Sequence, residues 1–359
     1  MSCGHLRFAV AIVTALALAA GTPARAQAPT AVVPPAATAK PTPHAAPKPK
    51  SETKAETKAT KAATPVPPRP MAPAHEPDLA YGAFQRGYYL TAFQEAAKRV
   101  KEKNDPRAMT LLGELYANGL GVNNNDVEAV KWYSLAVERG DREAMFALAM
   151  FRIGGRGGAR DPAEATRLLT AAAKLGQPAA AYDLGLLYLE GQQLPQDFKR
   201  AAELFQTAAQ AGSPEAEYAL ATLYKDGRGV PQNPQEATRL MAAAAQADFL
   251  DAEVEYAIAL YNGTGTAKDE AGAVALFRKA AIRGSPIAQN RLARLYAFAA
   301  NGVPLTDPAL ALKWHLISKA GGATDPKLDD YMQQQTPETR AAAEKAAKPW
   351  LDLIAQSRS

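Results

Sequence analysis

Apolar residues recur with a helical spacing inside a segment that is itself repeated every 36 residues. The first copy is residues 108–143, and each copy begins with an alanine that we number position 0. Positions 0, 4, 7 and 8 are mostly apolar, and at about 100° per residue they lie on one side of a helix. The pattern therefore predicts an amphipathic helix, helix A, at the start of each copy. The six copies are 108–143, 144–179, 180–215, 216–251, 252–287 and 288–325, the last with two additional residues.

A second helix, helix B, is predicted in the latter half of each copy. Glycine at position 11 ends helix A in five copies, since a chain that leaves a helix often needs a positive φ angle. Asn or Asp at position 17 is a typical N-cap, and proline follows it in three copies. Glycine at position 32 ends helix B, with Asp248 as the exception. The large apolar residue at position 24 is expected to fill the layer between the two helices: Trp132, Leu168, Leu204, Leu240, Leu276 or Trp314.

Tandem helical hairpins predict an all-α solenoid, because each hairpin buries its apolar stripe only against its neighbours. Both ends of such an array need a cap. Residues 76–107 have the pattern of a degenerate hairpin and are predicted to cap the N-terminal end. Residues 326–359 are predicted to form two C-terminal capping helices, the second of which is kinked or broken at Pro349.

The repeated motif resembles the Sel1-like repeat, a relative of the TPR hairpin. The best matches are ALATLYKDGRGV, from Ala219 to Val230, and EAVKWYSLAVERG, from Glu128 to Gly140. The resemblance covers residues 108–325, although Gln193 stands where other copies have the second glycine of the motif. It implies a right-handed α-solenoid that binds a protein or peptide.

One face of helix A is the candidate binding surface. Positions 2, 6 and 9 share a face opposite the apolar stripe, and we expect them to line the inner curve of the solenoid. In the middle copies this face is apolar and aromatic, as partner-binding grooves often are. The alternative is packing against helix B of the adjacent repeat, with position 2 the more buried and positions 6 and 9 the more open. The predicted partner-binding residues are Phe146, Met150, Tyr182, Leu186, Leu189, Tyr218, Thr222, Ile258, Tyr261 and Arg294.

Residues 1–26 have the pattern of a secretory signal peptide. Arg7 precedes an apolar run from Phe8 to Ala20, and residues 24–26 form a small-x-small cleavage site. The run is shorter than the ~20 residues that a spanning helix needs, so we expect no transmembrane segment in the mature chain. Cleavage would also remove Cys3, the single cysteine. The expected location is the periplasm or the outside of the cell.

Residues 27–75 are predicted to be a disordered tether rich in Pro, Ala and Lys. They contain 12 of the 27 prolines and no aromatic residue, too little apolar surface to offset the entropy of ordering. Seven Lys or Arg and two Glu give the tether a net charge of +5, equal to that of the whole chain. With +2 in the signal peptide, residues 76–359 carry −2, which argues against nucleic acid as a partner. The tether either contacts an anionic polymer of the cell envelope or acts as a solubilising spacer.

Residue types for catalysis or metal binding are few in the predicted solenoid. His315 is its single histidine, so we expect this side chain to pack rather than to bind a metal or transfer protons. Ser51 and Lys54 fit the S-x-x-K motif of β-lactamases, but they lie in the tether without an oxyanion hole. The glycines of residues 154–158 join two helices rather than follow a strand, which disfavours nucleotide binding. We therefore expect no enzyme, no cofactor and no metal site.

Three functional hypotheses follow. The first is an exported scaffold or adaptor that binds a protein or peptide in the concave groove. The second, suggested by the resemblance, is a periplasmic regulator that restrains a membrane sensor, as in the control of exopolysaccharide production. The third is a hydrolase of β-lactams or cell wall, which would depend on Ser51.

Overall fold

The computed structural model describes residues 78–298 and 307–357. The predicted signal peptide and tether lie outside these ranges. Sixteen helices and no strand occupy the described ranges, and we number the helices α1 to α16. Helix A of the six repeats is α3 Pro106–Asn118, α5 Arg142–Gly154, α7 Pro178–Glu190, α9 Pro214–Asp226, α11 Leu250–Asn262 and α13 Pro286–Phe298. Helix B is α4 Asp126–Glu138, α6 Pro162–Lys174, α8 Phe198–Gln210, α10 Pro234–Gln246, α12 Glu270–Ile282 and α14 Pro308–Ala320.

The predicted limits of helix B are confirmed. At each of the six starts, the Asn or Asp side chain at position 17 accepts a hydrogen bond from a backbone N–H of the first turn. The glycines at position 11 end helix A with φ angles between 64° and 72°. At position 32 the five glycines have positive φ angles, and Asp248 adopts the same conformation with a φ of 61°.

Helix A begins two residues before position 0, so the alanine that starts each copy does not mark the start of the helix. Proline is its first residue in four of the six repeats. The preceding residue caps the helix through its side chain in several repeats, although its identity varies: Asp105, Asp141, Gln177 and Ser213. The hairpin is therefore a unit that runs from position −3 of one repeat to position 32.

The centre of each hairpin is filled by position 25 of helix B, one residue after the predicted position. The six side chains are at most 4% exposed: Tyr133, Leu169, Phe205, Met241, Phe277 and His315. At position 24, by contrast, only Leu240 and Trp314 are buried, and the residues of the other four repeats are half-buried and pack on the edge of the core. Helix A offers Gly or Ala at position 5 to make room. A Cβ atom on Gly185 would lie 2.6 Å from the ring of Phe205.

Successive hairpins stack so closely that a second loop glycine contacts the preceding repeat. Gly157, Gly229 and Gly265 have positive φ angles, and a Cβ on any of them would overlap the backbone at the start of the preceding helix B. Gln193 takes this place in the third repeat and is exposed. From α1 to α14, each helix packs on the next one along the chain, which makes the array an α-solenoid.

Two helices precede the array and two follow it. They are α1 Leu79–Gln85, α2 Tyr89–Lys103, α15 Pro326–Gln333 and α16 Pro337–Gln356. The rings of Trp350 on α16 and Trp314 on α14 meet edge to face, with centroids 5.8 Å apart. Helix α16 continues through Pro349 to Gln356, so the break considered at this proline does not occur. Among the helices of the described ranges, none has the length and apolar character required to cross a membrane.

Candidate functional site

The accessible side of the A helices is a stripe at positions −1, 3, 6 and 10, which recur on one face of a helix. Across the six A helices, every residue at these positions is half-buried or exposed except Leu111. We call the part of the stripe on α5, α7, α9 and α11 the A-face. Its members are Glu143, Ala147, Met150, Gly154, Ala179, Asp183, Leu186, Glu190, Glu215, Ala219, Thr222, Asp226, Asp251, Glu255, Ile258 and Asn262.

Apolar side chains form the middle of the A-face. Met150, Leu186 and Ile258 occupy position 6 on three of its helices, and Thr222 occupies it on α9. Each of the three apolar side chains packs with one part on the hydrophobic core beneath it. None is fully buried, so each keeps accessible apolar surface. The A helices therefore present a discontinuous apolar row.

The aromatic residues at position 2 contribute to packing within and between repeats. The rings of Tyr182 and Phe205 lie 5.7 Å apart within one hairpin, and the ring of Tyr218 on α9 lies 5.3 Å from that of Phe249, the residue that precedes α11 of the next hairpin. Burial, followed by the nearby carboxylates of Asp183 and Glu215, raises the pKa of Tyr182 to about 12. These tyrosines therefore remain neutral and have a structural role besides any contact with a partner.

All ten predicted partner-binding residues are half-buried, so their degree of exposure does not show position 2 to be more buried than positions 6 and 9. At position 9, Leu189 packs on the core, and the ring of Tyr261 lies 5.8 Å from the Lys268 ammonium group. Arg294 donates to the Asp325 carboxylate at 2.9 Å. This arginine thus joins α13 to the residue that caps α15.

Contacts between side chains bring neighbouring A helices together. Lys225 on α9 pairs with Glu255 on α11 at 2.9 Å. On the preceding helices, the amide of Gln177 donates to the carboxylate of Glu143 at 3.1 Å. Side-chain contacts therefore link the A helices at two of the three junctions of the A-face.

Carboxylates surround the apolar row. Seven of the sixteen A-face residues are Asp or Glu, and none is Lys or Arg. Glu143, Glu215 and Glu255 have partners in Arg142, Ser213 and Lys225. Within the described ranges, the other four carboxylates have neither an ion pair nor a hydrogen bond: Asp183, Glu190, Asp226 and Asp251.

Asp183 is the most perturbed of these acids. It is half-buried on α7, three residues before Leu186, and burial raises its pKa to about 6. Burial, and secondarily the charge of Glu255, also raises the pKa of the Asp251 carboxyl. Ionisation of these two carboxyl groups is therefore unfavourable in the folded protein, and a nearby cation would lower its free-energy cost.

A cleft of about 310 Å³ lies where the A-face meets α13. Three predicted residues, Ile258, Tyr261 and Arg294, line it together with residues that the sequence reasoning did not select. These are Asn262, Phe277, Arg291, Leu295 and Phe298. Arg291 and Arg294 give this end of the stripe a positive charge, opposite to that of the A-face.

The remaining candidates for chemistry have structural explanations or lie elsewhere. His315 is fully buried, and its Nε2 atom lies 2.8 Å from the Asp329 carboxylate. Within residues 78–298 and 307–357, no three His, Cys, Asp or Glu side chains are grouped as metal ligands. Gly157, in the glycine-rich loop after α5, lies so close to the start of α4 that a Cβ added to it would overlap the Asp126 carbonyl oxygen. Ser51 and Lys54 lie outside the described residues.

Sequence reasoning missed the carboxylates of the A-face. It considered positions 2, 6 and 9, whereas the accessible stripe also includes positions −1, 3 and 10. The sequence signal was available, because Asp183, Leu186 and Glu190 follow the i, i+3, i+7 spacing of one helix face. The same reasoning could not predict the cleft, because one of its lining residues, Phe277, comes from helix B.

Comparison with solved structures supports the fold. The chain is 25% identical to c5321, a protective antigen of uropathogenic Escherichia coli strains that displays an SLR fold. The match covers 79% of this chain and 62% of that protein, with a TM-score of 0.64, so the chain spans less than two thirds of its length. A Sel1 repeat protein from Oxalobacter formigenes is also 25% identical, with a TM-score of 0.57 over 70% of this chain and 100% of that one. No curated protein shows a significant match.

The Sel1 repeat itself matches six consecutive segments: 106–141, 142–177, 178–213, 214–249, 250–285 and 286–322. These segments make up more than half of the chain and begin at the first residue of each helix A. Solenoids of this type are generally scaffolds that bind other proteins. The motif resemblance and the helical array thus agree, and the chain belongs to the Sel1 repeat family.

Proposed function

We propose that the protein is a non-catalytic scaffold that binds a protein or peptide on the A-face. The observation that carries this proposal is the row formed by Met150, Leu186 and Ile258, which is neither buried nor fully exposed. Apolar side chains that keep accessible surface on adjoining repeats offer a partner an extended area to cover. The scaffold character of Sel1 repeats supports the same conclusion.

We also propose that the scaffold acts outside the cytoplasm. The support is the signal-peptide pattern of residues 1–26, with cleavage expected after Ala26. Expression in a Gram-negative host, followed by osmotic shock and N-terminal sequencing, tests this. We expect mature protein starting at Gln27 in the periplasmic fraction. Uncleaved protein confined to the cytoplasm would contradict export but would leave the binding proposal intact.

Affinity capture from a cell-envelope extract tests the binding proposal. The bait is the whole chain, compared with a Met150→Gln, Leu186→Gln, Ile258→Gln variant that keeps the charge and approximate side-chain size. The matched control changes three exposed apolar residues on or near the B helices: Leu135→Gln, Leu175→Gln and Ile282→Gln. Circular dichroism melting curves verify that all three proteins are folded.

We expect a protein that is retained by the wild-type chain and by the control but is lost by the A-face variant. Retention of the same proteins by all three baits would place binding on another surface. Loss by the control alone would identify the B-helix side as the binding surface.

A further inference from the structure

Both edges of the apolar row carry acidic side chains. Position −1 holds Glu143, Glu215 and Asp251, and position 10 holds Glu190 and Asp226. At 1.5 Å of rise per residue these two positions are about 16 Å apart along a helix, with the apolar row between them. Asp183 and Glu255, at position 3, lie closer to the row. A partner that covers the apolar row therefore comes close to carboxylates on both sides.

The chain itself neutralises only part of the charge of the A-face, through Arg142 and Lys225. Four of the seven carboxylates have neither an ion pair nor a hydrogen bond among the described residues, and one of them, Asp183, is half-buried. A neutral or acidic segment that covers these carboxylates removes their hydrating water and supplies no cation in its place, which is unfavourable. A segment with positive charges supplies the missing partners and is also attracted before contact.

We propose that the A-face binds a cationic segment of a partner protein, one in which apolar side chains alternate with Lys or Arg. The proposal rests on the proposed function and specifies the chemistry of its partner. Met150, Leu186 and Ile258 receive the apolar side chains, and Asp183, Glu190 and Asp226 receive the cations.

The charge pattern also limits the extent of the segment. On α13 the same stripe carries Arg291 and Arg294 instead of acids, and Arg291 has no ion-pair partner among the described residues. The cationic part of the partner is therefore confined to α5 through α11. Four helices at ~10 Å spacing correspond to about 10 residues of extended chain at ~3.3 Å per residue.

Selection from a random peptide library tests the inference while the partner is still unidentified. A phage-displayed library of peptides of about 12 residues is panned on the whole chain, a length that spans the A-face in extended form. The charge variant is Asp183→Asn, Glu190→Gln, Asp226→Asn. The matched control removes three exposed carboxylates on α2, α8 and α16: Glu102→Gln, Glu203→Gln and Glu344→Gln. Both variants therefore have the same net charge.

The retained peptides are sequenced, and their affinities are measured by fluorescence anisotropy at about 50 and 300 mM NaCl, since exposed charges are screened by salt. We expect an excess of Lys and Arg over the unselected library. The charge variant should bind these peptides about tenfold more weakly, and the control within about twofold of wild type. Higher salt should weaken binding to the wild-type chain more than to the charge variant.

The Met150→Gln, Leu186→Gln, Ile258→Gln variant separates the two proposals. Peptides that depend on these apolar residues but show no excess of Lys and Arg would overturn the cationic partner and keep the A-face as the binding surface. Equal affinity for the charge variant and the control would do the same. If no retained peptide depends on the apolar residues, the A-face itself is not the binding surface and both proposals fail.

Discussion

Position 25 of helix B determines how the two helices of a hairpin meet. Phe205 is fully buried and occupies the space left by Gly185, whereas the adjacent Leu204 is half-buried. Both residues are large and apolar, so the sequence offers little to distinguish them. The small residue at position 5 of helix A is the feature that selects position 25.

Truncation of these two neighbours should therefore have unequal effects. Phe205→Ala removes a fully buried ring and should lower the free energy of unfolding by about 3–5 kcal/mol. Leu204→Ala removes a half-buried side chain and should cost about 1–2 kcal/mol. Urea denaturation followed by circular dichroism measures both. Equal losses would show that position 24 contributes to the core as much as position 25.

Asp183 should make the stability of the solenoid depend on pH. Its pKa is raised to about 6 by burial, above the ordinary value of an unfolded Asp, so the native state holds this proton more tightly. Stability attributable to this group is fully present at low pH and is lost as the pH rises from about 4 to about 6. The neighbouring Tyr182 stays neutral in this range, since its pKa is raised to about 12.

Asp183→Asn removes this dependence. At pH 7 we expect the variant to be more stable than wild type by about 1–3 kcal/mol, and at pH 4 the two should be similar. Denaturation midpoints measured at both pH values provide the test, with Glu203→Gln as an exposed control. A wild-type advantage at pH 7 would mean that the Asp183 carboxylate is stabilised in the folded protein.

At the level of helices and loops, the sequence contains reliable signals for some boundaries and none for others. The capping residues at position 17 and the glycines at positions 11 and 32 have specific backbone roles, so the sequence is enough to delimit helix B. It does not delimit the start of helix A, because the cap there is Asp105 in one repeat, Gln177 in another and Ser213 in a third. The predicted repeat unit therefore begins two residues late.

Two loop glycines provide a test of how hairpins stack. Gly265 and Gly284 have positive φ angles of 69° and 93°, so alanine is strained at both. Only at Gly265 would a Cβ also overlap the Pro234 carbonyl group of the preceding repeat, whereas nothing lies within 4 Å at Gly284.

We expect Gly284→Ala to cost about 1 kcal/mol and Gly265→Ala about 2–4 kcal/mol, because the second change adds overpacking to the backbone strain. Thermal denaturation of the two single variants compares them directly. A smaller loss at Gly265 than at Gly284 would show that the hairpins are not in close contact at this loop.

At the level of the whole molecule, tandem repetition made the architecture predictable. A fixed period of 36 residues implies a one-dimensional array, and the described helices form one. The acidic character of the A-face was harder to foresee, since it is the sum of single residues on four separate helices. The cleft near α13 also combines side chains from three helices, which no local pattern reveals.

The two C-terminal helices should be needed to keep the array soluble. Trp350 covers Trp314, and Leu328 and Ala347 are buried against the last repeat. Deletion of residues 326–359 would expose this apolar surface, so we expect aggregation at concentrations at which the whole chain remains monodisperse. Light scattering of both proteins measures the effect. An equally soluble truncated protein would contradict a capping role.

Site-specific crosslinking is the most direct test of the A-face as the binding surface. The Cys3→Ser chain has no other cysteine, so a single Thr222→Cys or Thr207→Cys change can carry a benzophenone maleimide group. Thr222 lies on the A-face, and Thr207 is an exposed residue of the neighbouring helix α8. After photolysis in a cell-envelope extract, we predict a crosslinked partner band from the Thr222 position that is absent from the Thr207 position. Equal bands from both positions, or a band from Thr207 alone, would contradict the assignment of partner binding to the A-face.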